Sequence, residues 1–171
     1  PRALVWEALN DPTVLRAAIP GVESFDKKSD TEFIATVTVK IGPVKARFKG
    51  SVSLSELDPP HGYQIKGEGQ GGVAGFARGT CEVKLYEESG ETLLRYHANA
   101  QVGGKLAQVG SRMISGVVKK LGDDFFSAFA GQMSAYVDPG SISQKSIGVA
   151  ERTPSVAIKQ RGTIAPGYWI V

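Results

Sequence analysis

A chain of 171 residues with 42% hydrophobic and 22% charged side chains is long enough for one cored domain. It has no run of about 18 apolar residues and so no helix that spans a bilayer. Residues 1–138 carry 16 Lys or Arg against 16 Asp or Glu, so the net charge of +3 resides in 139–171; a neutral body argues against a face for nucleic-acid phosphates, and a lone Cys81 excludes an internal disulfide.

Pro1 to Asn10 predicts a short helix, since Pro suits a first turn and Leu4, Val5, Ala8 and Leu9 share a face. Asp11 then caps a second helix with Pro12 at its first position, and Ile19-Pro20-Gly21 closes it. Strand signals follow from Val22 to Gln101. In Glu32 to Ile41, Phe33, Ala35, Val37, Val39 and Ile41 alternate with polar residues. In Val44 to Leu54, Val44, Ala46, Phe48, Val52 and Leu54 alternate with Lys45, Arg47, Lys49, Ser51 and Ser53. One dry face and one wet face predict an antiparallel sheet covered on one side. Further strands are expected at Tyr63 to Gly69, Phe76 to Tyr86 and Thr92 to Val102, joined by turns such as Asp58-Pro59-Pro60-His61-Gly62.

From Lys105 to Ala135, Leu106, Val109, Met113, Val117, Leu121 and Phe125 recur every three or four residues. That spacing predicts one helix of about 45 Å, long enough to need a broad partner. The order of elements is therefore α+β: two short helices, a curved antiparallel sheet, and a long C-terminal helix that the sheet wraps. After Asp138-Pro139-Gly140 the composition turns to Ser, Gly, Pro and Thr. Residues 1–137 are thus expected as the domain and 138–171 as a flexible basic tail, whose end, Tyr168-Trp169-Ile170-Val171, suits docking on a membrane or a partner.

Little in the chain suggests catalysis. Gly67-Glu68-Gly69-Gln70-Gly71-Gly72 matches G-x-G-x-x-G, but the next segment alternates as a strand. A dinucleotide fingerprint needs a helix there, so bending of the sheet is the better account. His61 and His97 are far apart in sequence and have no metal-ligand spacing, and Cys81 alternates with Val83 and Leu85 as a small interior side chain. No metal is expected. The interior is more suggestive, because Gly50, Gly67, Gly69, Gly79, Ala98 and Ala100 are small where strands usually carry bulk. Such a floor beneath a helix leaves room for an apolar ligand. The expected lining is Phe48, Phe76, Tyr96, Val109, Met113 and Val117. An enzyme in the same frame would need polar groups directed inward, for which Arg78, Arg95 and His97 are available; a docking adaptor would have a solid interior.

Several stretches together resemble the G-subunit family of carbon monoxide dehydrogenase, within the START-like, helix-grip superfamily (SRPBCC) that includes polyketide cyclases. They are Val5-Trp6-Glu7-Ala8-Leu9-Asn10-Asp11-Pro12, Ile19-Pro20-Gly21, Leu57-Asp58-Pro59-Pro60, Gly67 to Gly71, Ala74 to Gly79 and Gln101 to Arg112. The resemblance covers about residues 1–135. It implies a helix-grip fold with a hydrophobic tunnel, no catalysis, and an accessory role beside a molybdenum hydroxylase of the carbon monoxide dehydrogenase type. It further implies binding of a lipid or respiratory quinone in place of a cofactor, and a cytoplasmic location, peripheral at the inner face of the plasma membrane. The family's first strand is expected to be missing, which leaves a sheet edge for the tail or a neighbouring molecule to fill.

Overall fold

The computed structural model describes residues 1–137 and the backbone of 162–170. Helices α1 (Arg2–Leu9) and α2 (Pro12–Ala18) come first, and the Asp11 side chain accepts a hydrogen bond from the Thr13 backbone N–H at 2.7 Å, capping α2 as its sequence dictates. Six strands follow: β1 (Val22–Lys27), β2 (Glu32–Ile41), β3 (Val44–Asp58), β4 (Gly62–Gln70), β5 (Phe76–Glu88) and β6 (Glu91–Gly103). Each pairs antiparallel with the next, in an unbroken meander.

Two features depart from expectation. The predicted single helix is divided into α3 (Lys105–Gln108) and α4 (Ser111–Val137), because Gly110 adopts φ +93°, a left-handed conformation incompatible with continuing the helix. The break resets the helical phase. Ile114, Phe129 and Met133 are the buried positions of α4 among the described side chains, whereas Met113, placed on the inner stripe by its spacing, is 45% exposed. The second departure is in the tail, where Gly162–Ile170 forms β7 along the outer edge of β6. Its register pairs Tyr168 with Arg95 and Trp169 with Leu94, so this part of the tail lies along the sheet edge that the missing first strand was expected to leave for it. The ladder shifts between Tyr96 and Ala98 opposite Pro166, a place where a residue without an N–H is tolerated on an edge strand. The remaining tail positions, 138–161 and 171, lie outside the described residues.

The inner face of the sheet carries two separate apolar clusters. At one end, Val5, Ala8 and Leu9 of α1 and Val14 and Ala18 of α2 pack with Tyr63, Val83, Leu85, Leu94, Phe129 and Met133. At the other end, Ile41, Leu106 and Ile114 are buried under half-buried Val39, Val44, Phe48, Val102, Val109, Val117 and Val118. α4 runs from the second cluster to the first.

Candidate functional site: the groove between sheet and helix

Strand register decides which residues face α4. Since Phe48 and Leu54 pack into the two clusters, their parity in β3 marks the inner face, and the ladders carry that parity across the sheet. All six small residues noted in the sequence fall on this face. Gly50 pairs with Gly69, Gly67 pairs with Val52 and Gly79, and Gly79 pairs with Ala100, while Ala98 lies beside Cys81. They form one contiguous floor between the clusters.

The glycines of this floor have two different reasons to be glycine. A Cβ on Gly50 would lie 2.1 Å from the Glu68 carbonyl oxygen, and one on Gly79 would lie 2.3 Å from that of Asn99, so close backbone approach at a bend excludes any side chain. At Gly67 the same test meets only Ser51 O and Val52 Cγ2, both at 3.8 Å, and at Gly69 the nearest atom is Phe48 Cβ at 3.7 Å. No atom of α4 comes within 4 Å of the Gly67 position. Above the floor, a Cβ on Gly122 would meet only the Tyr96 hydroxyl, at 3.7 Å. A Cβ at Gly67 would thus meet no atom of α4 within 4 Å, while Tyr96 bridges β6 to the middle of α4 at Gly122 and Phe126.

Four of the six residues expected to line a ligand site pack against the two clusters that flank the floor. Tyr96 stacks on Phe126 with ring centroids 5.4 Å apart and adjoins the first cluster, and Phe48, Val109 and Val117 pack on the second. Met113 lies at the rim, with its sulfur over the Gly42 turn. Phe76 is misassigned: its parity in β5 is opposite to that of Gly79, Cys81, Val83 and Leu85, which places it on the outer face. There its ring covers Gly103, and the Arg78 guanidinium lies 5.9 Å from its centroid. Ile114 and Val118 escape the sequence pattern, because a stripe counted through Gly110 assumes that the helix continues, and Phe126 lies one position off it beside Phe125. Counting from Ile114 in steps of three and four leads to Val118, Phe125, Phe129 and Met133.

The polar candidates for catalysis are also on the outer face. Arg78 donates to the Gln101 side chain at 2.8 Å, Arg95 lies over the Tyr86 ring at 4.9 Å, and His97 pairs with Glu82 in the ladder. Cys81 does face inward. Burial, reinforced by the Glu82 charge, pushes its thiol up to about 11, so it is a neutral apolar side chain near pH 7. Tyr63 is likewise held well above the usual phenol range by burial. A pocket of about 330 Å³ lies elsewhere: it is lined chiefly by Glu32, Ile34, Ser51, Ser53, Lys66 and Glu68, which have outer-face parity, and by no residue of α4. Among the described residues no group of three or more His, Cys, Asp or Glu is arranged to hold a metal, and no helix is long and apolar enough to cross a membrane.

The family model for the G-subunit of carbon monoxide dehydrogenase (CoxG) matches residues 1–134. The chain belongs to this family. The match covers everything from α1 to the buried end of α4, and thus both clusters and the floor. A crystal structure of a conserved protein from Geobacillus kaustophilus is similar over 78% of this chain and 88% of its own, with 31% identity and a TM-score of 0.74. No curated protein matches. CoxG membership carries an accessory role associated with carbon monoxide dehydrogenase, and the α+β architecture with its curved antiparallel sheet is consistent with the START-like fold.

Proposed function

We propose that this CoxG protein binds a hydrophobic small molecule, a respiratory quinone or a lipid, in the groove between the sheet and α4. It does so without catalysing a reaction, as an accessory or membrane-recruitment component of a carbon monoxide dehydrogenase-type molybdenum hydroxylase. The observation that carries this reading is the small-residue floor between two clusters, where a Cβ at Gly67 meets no atom of α4. The walls suit an apolar guest: Phe48 and Val117 stand at one end, Tyr96 and Phe126 at the other, and Cys81 is neutral beside Ala98. Burial of such a guest contributes roughly 25 cal/mol per Å² before the cost of ordering it.

The test is native mass spectrometry of the purified chain with extraction of any bound species, together with thermal melting in the presence of an isoprenoid quinone. Binding at about a hundred times Kd stabilises the fold by about 2.7 kcal/mol. A co-purifying lipid or quinone and a raised Tm are expected. An empty groove and an unchanged Tm would remove the reading. The enzyme alternative has no observation in its favour, because Arg78, Arg95 and His97 all have outer-face parity.

A further inference from the structure

The meander sends alternate turns to opposite ends of the sheet, and the two ends differ in charge. One end holds the β1–β2, β3–β4 and β5–β6 turns, with Asp30, Glu56, Asp58, Glu87 and Glu88. The other holds the Gly42-Pro43 turn between β2 and β3, the 3-10 turn Gly72–Ala74 between β4 and β5, and the junction of β6 with α3 and α4. There Lys40, Lys45, Lys105 and Arg112 are all exposed, and none of them takes part in an ion pair among the described residues. No Asp or Glu occurs in 33–55, 69–81 or 92–122, and the carboxylate that reaches the β2–β3 hairpin from β1, Glu23, is bonded to Thr38 and Arg47 and lies within electrostatic reach of Lys45. Charge that balances over the body as a whole is thus segregated along the strands.

Apolar exposure marks the same end. Val73 is 85% exposed at the tip of Gly71-Gly72-Val73-Ala74-Gly75, and Met113 is 45% exposed beside the Gly42 turn. Both lie where α3 and the start of α4 close the groove. The acidic end also shows apolar side chains, Leu57 at 43% and Tyr86 at 39%, but Leu57 stands between Glu56 and Asp58, and the Tyr86 ring is covered by Arg95. Apolar tips within a cationic rim match an anionic lipid surface, which supplies both a hydrocarbon boundary and negative headgroups.

We propose that this basic end docks on an anionic lipid surface, with Val73 and Met113 inserted at the headgroup boundary and Lys40, Lys45, Lys105 and Arg112 on the headgroups. This contact is distinct from Tyr168 and Trp169 of β7, and it does not depend on what the groove holds. Docked in this way, the α3 end of the groove faces the lipid.

Co-sedimentation of the full chain with vesicles tests it, using phosphatidylcholine alone and phosphatidylcholine with added phosphatidylserine. Binding only to the anionic vesicles, weakening as salt is raised, is expected. The combined variant Lys40→Gln, Lys45→Gln, Lys105→Gln, Arg112→Gln should lower partitioning about a thousandfold, and Val73→Ser by about threefold. A charge-matched control, Lys27→Gln, Lys28→Gln, Lys66→Gln, Lys84→Gln, should bind like the parent, and all variants should keep the parent's melting temperature. Four results would each overturn the proposal: no binding to anionic vesicles, equal binding to neutral ones, retention by the Lys40 variant, or loss equally in the control. Loss confined to Tyr168→Ser, Trp169→Ser would assign docking to β7 instead, and capture of an acidic protein without vesicle binding would make this end a protein interface.

Discussion

The two apolar clusters under the sheet are unequal. At the α1–α2 end, 11 buried residues from two helices, three strands and α4 interlock, with Phe129 at zero exposure and its ring 5.8 Å from that of Phe125. At the α3 end the cluster has three buried members, Ile41, Leu106 and Ile114, and the rest of it is partly buried. The difference separates two tasks. One end supplies the stability that holds α4 to the sheet. The other, with the left-handed break at Gly110 and an exposed Met113, buries fewer side chains and holds α4 less firmly.

The largest loss of stability is expected in the α1–α2 cluster. Phe129→Ala should cost about 3 to 5 kcal/mol, as a large cavity is left among atoms that cannot collapse, and urea unfolding reads this directly. Ile114→Ala, in the smaller cluster, should cost about 2 kcal/mol, the low end for such a deletion, since half-exposed neighbours can relax into the gap. Equal losses would show that the two ends contribute alike.

Two floor glycines that are close together should respond in opposite directions. Gly50→Ala places a methyl group 2.1 Å from the Glu68 carbonyl oxygen and should destabilise by about 1 to 3 kcal/mol. Gly67→Ala meets ordinary contacts at 3.8 Å, and should be neutral or stabilising by about 0.4 to 1 kcal/mol through the unfolded chain. The same pair of unfolding curves tells a bend from a vacancy. Similar losses at both positions would mean that the floor is packed throughout.

The smallest effect concerns Cys81. Its folded-state value of about 11 stands above the ordinary thiol value of 9.0, so the neutral thiol is favoured in the fold. The associated stability is complete below pH 9 and is lost as pH rises toward 11, because the unfolded chain gives up its proton first. Alkylation by iodoacetamide should accordingly be slow at about pH 8 and accelerate between about pH 9 and 11. Rapid reaction at the lower pH would place the thiol in contact with water.

Strand parity was legible because Val44 to Leu54 and its neighbours bury one face only, so the alternation of apolar and polar residues reports burial directly. The small-residue floor was legible for the same reason. Phe76 was not, since a ring packed on the outer face over Gly103 looks in sequence like any other apolar strand residue. The break at Gly110 was hidden as well: one glycine inside a helical pattern costs only about 1 kcal/mol, too little to mark an end unless tertiary packing demands the turn. β7 reads as linker because Pro166-Gly167 signals a turn locally, whereas the open edge of β6 supplies a ladder that outweighs it.

The claim that the groove is room for a guest is tested most directly by filling it. Gly67→Leu adds a side chain where α4 comes no closer than 4 Å, so the empty protein should melt at or above the parent temperature. An isoprenoid quinone that raises the Tm of the parent by several degrees, by about the 2.7 kcal/mol expected at a hundred times Kd, should leave the Tm of this variant unmoved. The same quinone-induced rise in both proteins would contradict the account.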